Sequence, residues 1–440
     1  MPGPPLSYFA PPDAIPDCVD VVVVGGGAIG LFSALELAER GHRVALCEKG
    51  NIGAEQSSRN WGWVRAARRD PRELALAVES QRMWHTLDKR LGAKTGYRAC
   101  GIVFTADSEA QKSRLEAWCR HAREYQLNVK MLGKRELQQH FPGTRLDSDS
   151  ALLCGNDGFA EPQWVAPAVA ARCRELGVTV LPNCAVRTVS LNAGNVVSIA
   201  TEHGEIGCNA AVVAAGAWSS LFCRNLGVSF PQLKVMSSAL RTEPSALELD
   251  HALWTSDFSV RKRADGAFTI ASGHRSVVDI VPDSFRFFQQ FLPALKSEWS
   301  SLSFRAGSRT LKEWRQASRW SSVDPSPFEA ERILDPVPAE HLLSEALEQF
   351  KQFMPQAQDI RIAQSWAGMI DVTPDALPVI SAVDKVPGLY IASGFSGHGF
   401  GVAPAAGHLM ADLITGQPPL VDAQAFRLSR FSDGSAISLQ

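Results

Sequence analysis

Apolar positions change their period along this chain in a repeating order. Residues 19–24, VDVVVV, form a β-branched run without a polar face, as in a strand buried on both sides of a parallel sheet. GGGAIG (25–30) follows, and then LFSALELAERG (31–41), whose apolar positions recur at helical spacing and stop at Gly41. RVALCEK (43–49) predicts a second strand ending at Glu48. Residues 162–189 predict a helix and then a strand that carries Val186. AAVVAAGAWSS (210–220) predicts a buried strand that runs into a turn of small residues, with Ala215, Gly216 and Trp218 at its end. Residues 387–416 predict a strand, a loop holding Gly394, Gly397, Gly399 and Gly401, and a helix from about Pro404 to Gly416. Period-two alternation marks 259–276 as two strands around an Asp265-Gly266 hairpin turn. Segment 282–350, rich in Trp, Phe and Ser, predicts helices and irregular connections.

The first of these units carries chemistry. Gly25 makes a tight turn, Gly27 lets the backbone approach a pyrophosphate, and Gly30 lets helix pack on strand. Ala28 and Ile29 open the helix, whose free amides and dipole favour phosphate. Glu48, followed by Lys49, is placed to accept both hydroxyls of an adenosine ribose. A lone glycine fingerprint is weak, but strand, helix, second strand and terminal acid agree here on a dinucleotide site. The second glycine-rich unit, far along the chain, implies two segments gripping one extended ligand. Between them SSRNWGWVR (57–65) is an oddly aromatic loop.

Composition narrows the class. A chain of 440 residues has room for two or three domains, and 45% hydrophobic with 20% charged residues is ordinary globular make-up. A net charge of −2 supplies no field for nucleic acid, and the densest basic cluster, Arg261-Lys262-Arg263, reads as a solvated strand end. No apolar run approaches the length of a spanning helix; peripheral membrane contact stays compatible. Residues 1–17 carry no basic leader and read as an extended tail. Nine cysteines without a CxxC pair predict reduced thiols, no metal site and a cytoplasmic location.

VVVVGGGAIGLFSALELAERGHRVALCEK, AAGAWS, WAGMIDVTPDALPVI (366–380) and GLYIASGFSGHGFG together resemble the FAD-dependent amine and amino-acid oxidoreductases. That group contains D-amino-acid oxidase, glycine oxidase, sarcosine oxidase and D-amino-acid dehydrogenase. The resemblance covers about residues 18–418. It implies an α/β fold, with a Rossmann-like FAD-binding domain from 18–95, 150–225 and 364–430. A mixed-sheet substrate domain would come from 96–149 and 226–363. The aromatic loop would run beneath the pyrophosphate and along the flavin. Ser57 and Ser58 would then contact phosphate or ribitol, Arg59 and Asn60 the pyrophosphate or flavin edge, and Gly62 would lie against the ring. Of Trp61 and Trp63, one would anchor the loop, and Trp63 would face the substrate. Gly368, His398 and Phe400 would complete the flavin surroundings. Gly368 matches the attachment cysteine of sarcosine oxidases, so the FAD is expected to be non-covalent.

The implied reaction is hydride transfer from the carbon bearing nitrogen to flavin N5. It gives an imine that hydrolyses to a keto acid or aldehyde. The expected substrate is an amino acid, D- or N-substituted. An amine or polyamine derivative, a 2-hydroxy acid, and a flavin-binding subunit of a larger complex are the alternatives. Two family anchors for the carboxylate are replaced, by Ile370 and Gly401. Three readings stay open: another arginine (Arg65, Arg241, Arg261 or Arg275) holds the carboxylate; Asp371 attracts a cationic amine instead; or the motifs align a residue apart. The lysine that assists oxygen reduction in sarcosine oxidases matches Ile270, which leans towards a dehydrogenase with a quinone or protein acceptor rather than O2.

Overall fold

The computed structural model describes residues 3–12 and 14–439. Strand Val21–Val24 lies between Val44–Cys47 and Ala210–Val213, parallel to both. Thr179–Leu181 and Leu389–Ser393 extend the parallel sheet on its two sides, and Val379–Ala382 closes one edge antiparallel. These strands are continuous apolar runs because helices cover one face of the sheet and the three-stranded sheet Val186–Asn192, Asn195–Thr201, Gly204–Gly207 covers the other. Helices Ala28–Glu39 and Gly399–Thr415 pack against each other at one of its faces. Their contact is close: a Cβ on Gly407 would come within 2.5 Å of the Phe32 backbone. The second helix begins at Gly399 and runs through Pro404, earlier than its proline suggests. Its first turn rests on the short strand Trp63–Val64, where a Cβ on Gly401 would meet Trp63 O at 2.9 Å.

A second, mixed sheet is built largely from the middle of the chain. Its strands run in the order Leu302–Arg305, Ser276–Asp279, Leu233–Thr242, Phe268–Ser272, Phe258–Lys262, Ala252–Trp254, Ile102–Ala106, Ser150–Cys154, Val129–Gly133. The hairpin expected at Asp265-Gly266 is there, with Val260 opposite Ile270. Ile362–Val372 pairs along nearly all of Leu233–Thr242. Ser150–Cys154 and Ile362–Val372 are therefore hydrogen-bonded into the mixed sheet, although the expected partition gave their residues almost wholly to the nucleotide side. Ile270 is fully buried in this sheet's own core, beside Phe350 and Leu343 of helix Glu340–Phe353.

The basic cluster is not solvated. Arg261 is 1% exposed and paired with Glu161. Lys262 Nζ donates to Ser245 O and Leu247 O. Burial on both faces of a central strand demands such partners for any charge it holds. The tail is held on the body, with Gln364 donating to Gly3 O at 3.0 Å. All nine cysteines are free thiols. Among the described residues, no helix is long and apolar enough to cross a membrane.

Candidate active site

The carboxyl ends of the parallel strands open on a long cleft, at the edge where ligands of open α/β sheets lie. Gly25, Gly27, Ala28 and Ile29 form one wall. Gly25 has φ +114°, and a Cβ there would meet Ala214 O at 2.4 Å. A Cβ on Gly30 would sit 2.0 Å from Gly25 O, so this residue works by packing helix on strand rather than by lining the cleft. Glu48 accepts from the amides of Gly26 and Gly50, both at 2.8 Å, and burial raises its pKa. Ser57 Oγ accepts from Ala28 N at 2.8 Å, tying the aromatic loop to the helix start.

The facing wall holds Ala215, Gly216 and Trp218, with Val186 on the same lining. Lys49 Nζ lies 4.4 Å from the Trp218 ring centre and donates to Glu55 at 2.6 Å. Trp218 Nε1 donates to the same carboxylate at 3.1 Å. Gly397, Gly399, Phe400 and Asn60 complete the cleft. Gln56 Oε1 is buried, with no hydrogen-bond partner among the described residues, where this cleft meets a second cavity, and the residue lines both. Glycine-lined walls, a helix start and an acid at the end of the second strand fit an adenine dinucleotide. The orphan acceptor fits a ligand with its own donor.

The second cavity is made by the aromatic loop. Trp61, Trp63 and Trp254 meet edge to face, with ring centres 5.4–5.6 Å apart, and all three line it. Gly62, at φ +82°, lets the chain turn without parting the two rings of the loop. Its open side faces Ala160 O, not the cofactor cleft, since a Cβ would meet that oxygen at 2.3 Å. Beyond the rings come Arg65, Arg69 and His398. Asp157 holds this turn by accepting from Ala66 N and Gln81 Nε2, both at 2.7 Å. Arg69 is 3% exposed, and its Nη1 has no hydrogen-bond partner among the described residues. Burial first, and then Arg69 and Arg68, weaken the Arg65 cation. An arginine keeps its proton, so this cost appears as a demand for an anion.

His398 Nδ1 lies 3.2 Å from Glu73 Oε2. Burial, reinforced by Arg69, pushes the imidazole from its ordinary 6.5 down to about 4 despite Glu73. Between those two values the unfolded chain binds the extra proton, so this group's contribution to stability is complete above 6.5 and is lost as pH falls towards about 4. Urea unfolding of the wild type is expected to lose about 2–3 kcal/mol more than His398→Asn over that window. Parallel pH curves for the two proteins would show an unperturbed imidazole.

Strand pleat corrects the reading of Asp371. Ile370 lines the tryptophan cavity, and Asp371, on the opposite face, lines the cofactor cleft. Its carboxylate accepts from Gly394 N at 2.7 Å and Ser393 Oγ at 3.2 Å, and burial raises its pKa. It does not face an amine in the second cavity. Of the arginines weighed for a carboxylate, Arg65 and Arg275 line that cavity. Arg241 is not on the lining, and Arg261 is committed to Glu161.

Arg59 lines the tryptophan cavity rather than the cofactor cleft, and its Nη1 donates to Asp335 at 2.7 Å and Ala367 O at 2.9 Å. Ser58 is turned inward and donates to Glu55 O. Gly368 sits under Gln56, and Gly394 lies against Thr373; neither is on the cleft lining. The sequence reading missed Gln56, Glu55, Arg69 and Trp254. Only Arg69 had a visible signal, the run Arg65-Ala66-Ala67-Arg68-Arg69.

A glycine-lined dinucleotide cleft opening on an aromatic, cationic cavity defines a flavoprotein oxidoreductase. The chain belongs to the family described as FAD dependent oxidoreductase, which residues 20–413 match. Its cofactor is FAD, and it acts as an amino-acid or amine oxidoreductase. It is 27% identical over 410 residues to a glycine oxidase of Pseudomonas aeruginosa, covering 91% of this chain and 96% of that one. It is 25% identical to the sarcosine oxidase subunit beta of Rhizobium meliloti, covering 95% and 89%. The solved L-amino acid deaminase of Proteus myxofaciens, in complex with anthranilate, is 29% identical, with a TM-score of 0.94 over 97% of both chains.

Proposed function

We propose that this chain oxidises the C–N bond of an α-amino acid with a large apolar side chain, giving an imino acid that water converts to a keto acid and ammonia. The observation that carries this reading is the buried, unpartnered Arg69 Nη1 beside Arg65 in a cavity walled by tryptophans. A carboxylate there satisfies both cations, and a two-pronged guanidinium contact fixes its plane. Trp61, Trp63 and Trp254 take the side chain and exclude water. FAD, held without a covalent link by the cleft residues Gly25, Gly27, Glu48 and Ser57, would supply the hydride acceptor.

His398 works as a neutral group. Its Nδ1–H donates to Glu73, leaving Nε2 as an acceptor for the substrate amine. So weak a base holds and orients the amine rather than abstracting a proton from carbon.

We place the L-form first, because two Proteus proteins named as L-amino acid deaminases overlay 97% of the chain with TM-scores of 0.94 and 0.92. The anthranilate of one of them is an aromatic carboxylate, which suits the cavity proposed here. Among the described residues no lysine lines the tryptophan cavity, which supports a quinone or protein as the electron acceptor. Nine free thiols support a cytoplasmic location, with or without contact to the inner face of a membrane.

The test is anaerobic flavin bleaching by L-phenylalanine, D-phenylalanine, N-methylphenylalanine, 2-phenylethylamine and 3-phenyllactate, followed by air. Rapid bleaching by L-phenylalanine with slow reoxidation is expected. Bleaching by the D- or N-methyl compound alone restores the expectation from sequence. Bleaching by the amine or hydroxy acid alone overturns the amino-acid reading.

A further inference from the structure

A second hollow lies outside the tryptophan cavity, and the two share a wall. Ser272, His274 and Arg275 line both. The outer hollow is acidic, with Asp257, Glu345 and Glu348 against Arg275. The shared wall is fixed at one end. Gly273 N donates to Asp257 O at 3.0 Å, Trp254 Nε1 donates to Gly273 O at 2.5 Å, and a Cβ on Gly273 would meet Ser256 O at 2.5 Å. Across the hollow, the tie from this wall to helix Glu340–Phe353 is the ion pair from Arg275 Nη1 to Glu345 Oε2, at 2.9 Å.

That pair is exposed and weakly held. Its side chains are 49% and 59% exposed, so it contributes little stability, and a competing carboxylate replaces Glu345 at small cost. By contrast the buried Arg261–Glu161 pair, at 1% and 2% exposure, has no such freedom.

We propose that the outer hollow is the entrance subsite for the substrate's charged end, with Arg275 as the group that receives the α-carboxylate in exchange for Glu345 before it passes to Arg65 and Arg69. Asp257, Glu345 and Glu348 then face the ammonium of the same zwitterion. This rests on the amino-acid reading above. Arg275 is thus a guide for the substrate and not the group that holds it during reaction. Its partner lies on a different element, so swinging the side chain disturbs no strand pairing.

Stopped-flow tryptophan fluorescence on the FAD-loaded protein tests this without turnover, since Trp61, Trp63 and Trp254 report on the inner cavity. Phenylacetate is the carboxylate probe and 2-phenylethylamine the carboxylate-free control. Arg275→Gln is expected to slow phenylacetate association about fivefold or more, and Glu345→Gln to speed it about threefold. Both differences should shrink in 0.5 M salt, and Arg275→Gln should not slow the amine. The proposal is overturned if Arg275→Gln stays within twofold of wild type, or if both variants slow both probes alike, as a purely structural brace would. Because no oxidation is read, this result is separate from the bleaching panel. A wild type that binds phenylacetate by this route but is bleached by no amino acid would refute the reaction and leave the subsite standing.

Discussion

Arg69→Met is expected to lower kcat/KM for an α-amino acid by about 10²–10³-fold, with the bound flavin's absorption spectrum unchanged. Removing one member of a buried charge contact costs about 2–5 kcal/mol, and each 1.4 kcal/mol is a factor of ten. The residue lines the tryptophan cavity and not the cofactor cleft, so FAD should stay bound. Methionine fills most of the stem's volume, and Trp118 Nε1 still donates to the backbone oxygen of residue 69, at 2.9 Å in the wild type. The loop should therefore keep its path. The informative comparison is with the amine that shares the side chain but lacks the carboxylate. That compound should lose less than about fivefold, since it makes no charge-assisted bond here. Equal losses for both compounds would move Arg69 from substrate binding to scaffold. Arg69→Lys should rescue little, because an ammonium cannot reproduce the planar fork.

The nucleotide side of this site was legible because its determinants are local. Gly30 packs on Gly25 O and Val23 within one strand–turn–helix, Gly25 takes the turn's own φ of +114°, and Glu48 follows one strand later. The distant segment with Gly397, Gly399 and Phe400 was legible for the same reason, as a turn that opens a helix. The substrate side depends on long-range pairing. Which of Ile370 and Asp371 faces the tryptophans is set by the register of Ile362–Val372 on Leu233–Thr242, where one residue of slip exchanges the two faces. Among Arg65, Arg68 and Arg69, orientation is set by Asp157 and Trp118, far along the chain. Arg261 looked like a strand end because its partner, Glu161, lies a hundred residues away. Gly62 was read as a flavin contact; its left-handed turn is instead required by Ala160.

That last clamp carries the second large effect. Glu161→Gln is expected to destabilise the protein by about 3–5 kcal/mol, because it leaves the Arg261 charge buried and unpaired. The pair is bidentate, at 2.8 and 2.9 Å, and Glu161 also accepts from Ala264 N at 2.9 Å. Burial opposes the Glu161 carboxylate, yet Arg261 and Arg263 overcome it, and its pKa is lowered. Glutamine keeps the shape, so the loss reports charge rather than a cavity. The consequence should reach the substrate, since Arg261 Nε donates to Trp61 O at 2.5 Å and its guanidinium abuts Gly62. A loosened Arg261 frees the loop that sets the tryptophan walls. Urea unfolding measures the first effect, and the tryptophan emission of the folded variant measures the second. Replacing both partners, Glu161→Gln with Arg261→Met, should recover much of the stability, because a neutral pair owes no desolvation cost. It should not recover the wild-type emission, because methionine has no donor for Trp61 O. A single variant as stable as wild type would mean that the ion pair does not hold this loop, and a double variant with normal emission would mean that the rings are placed by their own packing.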